Sequence, residues 1–70
     1  MKYKFNQNKV KGLMAENDMN PSDLSRVIDT TEMTVRNKLS GKTNFTANEI
    51  CLIATHFNIK PSILFVKATQ

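Results

Sequence analysis

Seventy residues with a formal net charge of +4 make one small domain, residues 1–70, whose core is only just adequate to hold it. A hydrophobic content of 40%, with two Gly and two Pro, fits a folded helical chain rather than a disordered one. No apolar run is long enough to span a membrane, no apolar signal core follows Met1-Lys2-Tyr3-Lys4, and the single Cys51 excludes a disulfide framework or a cysteine zinc site. A cytoplasmic chain with no membrane partner, metal or cofactor is expected.

In chain order, residues 1–5 alternate Lys with Tyr3 and Phe5. That pattern is compatible with a basic N-terminal arm, a short strand, or an extension whose aromatic rings cover the edge of the core. Asn6 suits the cap of a first helix running to about Asn17, with Val10, Leu13 and Met14 on its inward stripe. Gly12 in its middle costs about 1 kcal/mol relative to Ala, so this helix depends on packing. Met19 is expected in the core.

Residues 20–41 hold two short helices and a tight turn. Asn20 can cap the first of them, with Pro21 at the first helical position and Asp23 facing the positive dipole end. Leu24, Val27 and Ile28 form one apolar stripe. Asp29-Thr30-Thr31 breaks the pattern, Thr31 caps a helix beginning at Glu32, and Ser40-Gly41 ends it at a left-handed glycine. Lys42-Thr43-Asn44 is then a polar loop, and Phe45 plugs the core.

Thr46-Ala47-Asn48-Glu49 is a capping box opening a fourth helix, with Ile50, Ile53, Ala54 and Phe57 facing inward. Cys51, between Ile50 and Leu52, reads as a partly buried and inert thiol, and His56 has no second ligand for a metal. Asn58 ends this helix. Pro61 opens a short fifth one carrying Ile63, Leu64 and Phe65, and residues 66–70 form a tail. The fold class is all-α, five short helices.

The third helix carries the functional argument. Val35, Lys38 and Leu39 share one side, while Glu32, Met33, Arg36, Asn37 and Ser40 share the other. The second set matches base edges in a DNA major groove: Asn to adenine, Arg to guanine, Glu to the cytosine amino group, Met to the thymine methyl. Any exposed helix face is mixed and polar, so the side chains alone leave both readings open. Charge distribution adds to the first. Lys2, Lys4, Lys9 and Lys11 meet no acid in the first eleven residues, Glu16, Asp18, Asp23 and Asp29 outweigh Arg26, and Arg36, Lys38 and Lys42 restore positive charge. Solubility also favours a non-zero charge.

Thr34-Val35-Arg36-Asn37-Lys38-Leu39-Ser40-Gly41-Lys42, with a short helix before it and Phe45-Thr46 and another helix after it, resembles the Cro/C1-type (XRE-family) helix-turn-helix. The resemblance runs from about Asn8 to Phe65 and is strongest to small Cro-like and repressor-like proteins of bacteriophages. It implies a five-helix, lambda-repressor-like DNA-binding domain whose second motif helix lies in the major groove. Carried over by position, the base readers are Glu32, Met33, Arg36 and Asn37. Asn20, Thr31, Lys42, Thr43 and Asn44 become phosphate contacts. The chain departs from the family where Asp29 replaces a common turn Gly, and where Met14 and Leu39 replace a salt-bridged Arg and Glu.

An enzyme needs converging titratable groups, and one His, one Cys and scattered carboxylates do not supply them. The expected function is a sequence-specific transcription regulator, a phage Cro-like repressor on double-stranded operator DNA. One headpiece this small calls for two half-sites, hence a homodimer at least on DNA, joined through Ile59, Ile63, Phe65 and Val66. The alternative is a protein-interaction module of the same shape that modulates a cognate repressor or a toxin.

Overall fold

The helices start where short polar side chains can satisfy their orphan N–H groups. In the computed structural model, which describes residues 3–67, the order is β1 (Tyr3–Phe5), α1 (Gln7–Glu16), α2 (Pro21–Val27), α3 (Glu32–Leu39), α4 (Ala47–His56), a 3-10 turn (Pro61–Leu64) and β2 (Phe65–Lys67). Asn6, Asn20, Thr31 and Thr46 each accept from the backbone N–H three residues on. Asn20 with Asp23, and Thr46 with Glu49, close full capping boxes.

The helix exits share one device. Asp18, Asp29, Gly41 and Asn58 follow the four C-caps with φ of 53°, 56°, 87° and 57°. The next N–H then reaches back to a carbonyl in the last turn: Met19 to Met14 at 2.8 Å, and Thr30 to Ser25, Lys42 to Asn37 and Ile59 to Ala54 at 2.9 Å each. This is the Schellman arrangement, and it returns apolar Met19 and Ile59 toward the core.

Val10 and Met14 of α1, Leu24 of α2, Val35 and Leu39 of α3, and Ile50, Ile53 and Ala54 of α4 are buried together with Ile28, Phe45 and Leu64. The sequence placed all of them but Leu64 in the core or on inward stripes; Leu64 was given only as part of the fifth helix. Among the described residues no buried side-chain N or O lacks a hydrogen-bond partner.

Three expectations need correction. The fifth helix is one 3-10 turn, so the described residues hold four α-helices and are mostly rather than wholly helical. Phe65 leaves that turn for β2, which pairs antiparallel with β1 in the register Tyr3↔Lys67, Lys4↔Val66, Phe5↔Phe65. The extended backbone places Phe5 beside Phe45 and Phe65, at ring-centroid distances of 5.0 and 5.7 Å, a burial that a helical continuation would forfeit. Tyr3–Phe5 is thus a strand rather than a free arm, and Val66 and Lys67 are its partners rather than tail. Residues 1–2 of the expected arm and 68–70 of the expected tail lie outside the described residues. Cys51, finally, is exposed. It stands one residue, about 100° of helix rotation, beyond buried Ile50. No helix among the described residues is long and apolar enough to cross a membrane.

Candidate nucleic-acid interface

Burial divides α3 as its spacing predicts. Val35, Lys38 and Leu39 are buried, while Glu32, Met33, Arg36 and Ser40 are exposed and Asn37 is half-buried at the margin. Met33 is 67% exposed, a large apolar side chain left mostly in water.

The packed side of α3 holds a charge the sequence did not assign. The Lys38 ammonium donates to Glu49 Oε1 across the gap between α3 and α4, and stands 5.8 Å from the centre of the Phe45 ring. The two side chains are only 10% and 14% exposed. Burial by itself would raise the Glu49 pKa. Hydrogen bonds from the Lys38 ammonium and the Thr46 backbone N–H, with the attraction of the Lys38 charge, outweigh burial and hold the carboxyl below its ordinary value. Lys38 therefore braces α3 against α4, and its charge is not on the outward face. Its position beside Val35 and Leu39 in the helical pattern was the available signal.

On the outward face a second ion pair lies along the helix. Arg36 donates from Nε and Nη2 to the same Glu32 oxygen, at 2.9 and 2.6 Å. The i, i+4 spacing with Glu on the N-terminal side could have announced it. Both side chains stay exposed, at 58% and 45%. No hydrogen bond engages the Asn37 side-chain amide among the described residues, so its donor and acceptor face outward together.

The expected phosphate contacts fall into three places. Asn20 opens α2, and its Oδ1 is taken by the Asp23 N–H at 2.8 Å, which leaves the amide NH₂ as the group to donate. Thr31 opens α3, its hydroxyl 2.9 Å from that of Thr34. One of those two hydroxyl protons is used between them and the other is left over. Lys42, Thr43 and Asn44 are exposed at the far end of α3, about 12 Å along its axis from Thr31. The Asn37 carbonyl fixes the start of that loop by accepting from Lys42 N at 2.9 Å, Thr43 N at 3.3 Å and Ser40 Oγ at 2.9 Å. Polar donors thus stand at both ends of α3, with Glu32, Met33, Arg36 and Asn37 between them.

The family model of the Cro/C1-type helix-turn-helix DNA-binding domain matches residues 9–66. That span covers all four α-helices, apart from the first two residues of α1, and reaches into β2. Neither the curated proteins nor the solved structures gave a match to the chain.

Proposed function

Because this chain belongs to the Cro/C1-type helix-turn-helix DNA-binding family, we propose that it is a sequence-specific transcription regulator that occupies operator DNA as a Cro-like repressor of phage type. The observation that carries the proposal is the composition of the α3 outward face. Glu32, Met33, Arg36 and Asn37 are set between donor groups at the two ends of the helix. Such a face has the chemistry for base edges, and the flanking groups have the chemistry for phosphate oxygens.

The mechanism has two contributions. Asn20, Thr31, Lys42, Thr43 and Asn44 hold phosphates and fix the register, giving an affinity that falls with salt. The four residues of the face supply discrimination, about 1–3 kcal/mol for each good base contact. A recognition helix of eight residues reads only a few base pairs, so two chains act on two half-sites about one helical turn apart. The dimer contact falls on the strand pair and the turn before it. There Ile63 and Val66 are 46% and 38% exposed, beside half-buried Ile59 and Phe65. Such a regulator works in the cytoplasm of a bacterial host.

Salt titration of duplex binding tests the phosphate contribution. The wild type is expected to lose affinity steeply between 50 and 200 mM salt, and Lys42→Ala to weaken all sequences alike while lowering the logarithmic salt slope by about 0.9. A slope near zero would point to the second reading, a module that contacts a cognate repressor or a toxin. Exposed Met33, an adaptable contact residue, favours that reading on the same face.

A further inference from the structure

The geometry of the outward ion pair separates two roles within the reading face. A guanidinium has two usable forks: a side fork of Nε–H with one Nη2–H, and an end fork of one Nη1–H with the other Nη2–H. Glu32 occupies the side fork, since one carboxylate oxygen accepts from both Nε and Nη2 of Arg36. Among the described residues no hydrogen bond engages Nη1, so the end fork remains open. Two parallel N–H groups are what the O6 and N7 atoms of a guanine accept.

We propose that Glu32 is a positioning residue, not a base reader: it holds Arg36 by the side fork so that the end fork meets guanine in the major groove. The inference rests on the reading of α3 as the DNA-recognition helix. Three observations support it. The pair is exposed, so it contributes little to folding stability. Arg36 is a long side chain whose freedom would otherwise have to be lost on binding, and a pre-formed fork reduces that loss. Glu32 also neutralises the only exposed cation on α3, which lowers attraction to phosphates in general and leaves the fork as the favourable contact.

The role predicts an effect at the base pair that Arg36 reads. In selections from random duplexes, Arg36→Ala identifies that pair as the position where guanine preference is lost. Glu32→Gln is expected to relax the preference at the same position by about tenfold, while raising affinity for unrelated duplexes. Glu32→Asp, which keeps the charge but is one methylene shorter, is expected to fall between the two. The double variant Glu32→Gln with Arg36→Ala should be no less selective there than Arg36→Ala alone.

A changed preference at a different base pair would overturn the proposal, because Glu32 would then be reading a base of its own through its second oxygen. So would an unchanged guanine preference in Glu32→Gln, which would make the pair an ordinary surface contact. Both outcomes leave α3 as the reading helix. A wild type that selects no sequence would overturn that underlying reading, and the positioning role with it.

Discussion

Lys38 and Glu49 show how one buried pair serves two elements. The carboxylate accepts from the Lys38 ammonium of α3 and also closes the capping box of α4 by accepting from Thr46 N at 2.9 Å. Its pKa in the fold lies below the ordinary 4.5. A lowered carboxyl contributes stability above the unfolded value and loses it as pH falls through the folded one. The wild type should therefore lose stability on acidification below about pH 4.5, and Glu49→Gln should be less stable at neutral pH but flatter across that window, as urea melts at a series of pH values would read. Lys38→Met alone leaves a buried charge without its partner and should cost about 3 kcal/mol, most of it recovered when Glu49→Gln accompanies it. Opposite in sign is the effect at Asp29. It occupies a left-handed conformation that glycine adopts freely, and it sets a negative charge at the negative end of α2. Asp29→Gly should stabilise by roughly 0.5–1 kcal/mol, raising Tm by about 3–6 °C. These two sites also mark what single residues reveal in sequence. Local sequence marked Asp29 as the start of a turn, and the family resemblance marked it as a substitute for a turn glycine. The Lys38–Glu49 pair was not legible, because eleven residues and a loop separate its members.

Among the elements, the strand pair carries the largest departure from expectation. Tyr3-Lys4-Phe5 does alternate, but three residues are too few to distinguish a strand from an arm. Its partner lies at the other end of the chain, and what fixes both is the aromatic contact of Phe5 with Phe45 and Phe65. Phe5→Ala should accordingly cost about 2–3 kcal/mol, below the range for a fully buried ring, whereas Tyr3→Ala, at a side chain 64% exposed, should change the thermal melt little. The α-helices were legible because their signals are local and agree with one another. Caps at Asn6, Asn20, Thr31 and Thr46, inward stripes, and left-handed exits at Asp29 and Gly41 all specify the same boundaries. The short turn at Pro61–Leu64 had a start signal but no room for a second turn before Phe65 is drawn into the sheet.

At the scale of the whole molecule, the packing of α2, α3 and α4 has one consequence for DNA. It buries the Lys38 side of α3 and leaves Glu32, Met33 and Arg36 in solvent, with Asn37 at the margin. The composition of that face was readable from helical spacing, together with the ends that flank it. The engagement of Arg36 with Glu32 was not drawn from that spacing, although the residues stand four apart on a helix. Net charge spoke less directly. Of the three cations assigned to the recognition helix and its exit, Lys38 is buried in a pair and Arg36 is matched by Glu32, which leaves Lys42 exposed without an ion-pair partner among the described residues. On the proposed function, sequence discrimination comes from side-chain geometry more than from summed charge. The most direct test of that claim is selection of bound duplexes from a random pool by the wild type and by Asn37→Ala. The Asn37 amide makes no hydrogen bond among the described residues, the proposed reading pairs it with adenine, and at the half-buried margin of α3 its loss is not expected to unfold the domain. A palindromic site in the wild type, with preference weakened at one symmetric base pair in the variant, is the predicted result. Identical preferences in the two proteins, or binding indifferent to sequence, would contradict the reading of bases by this helix.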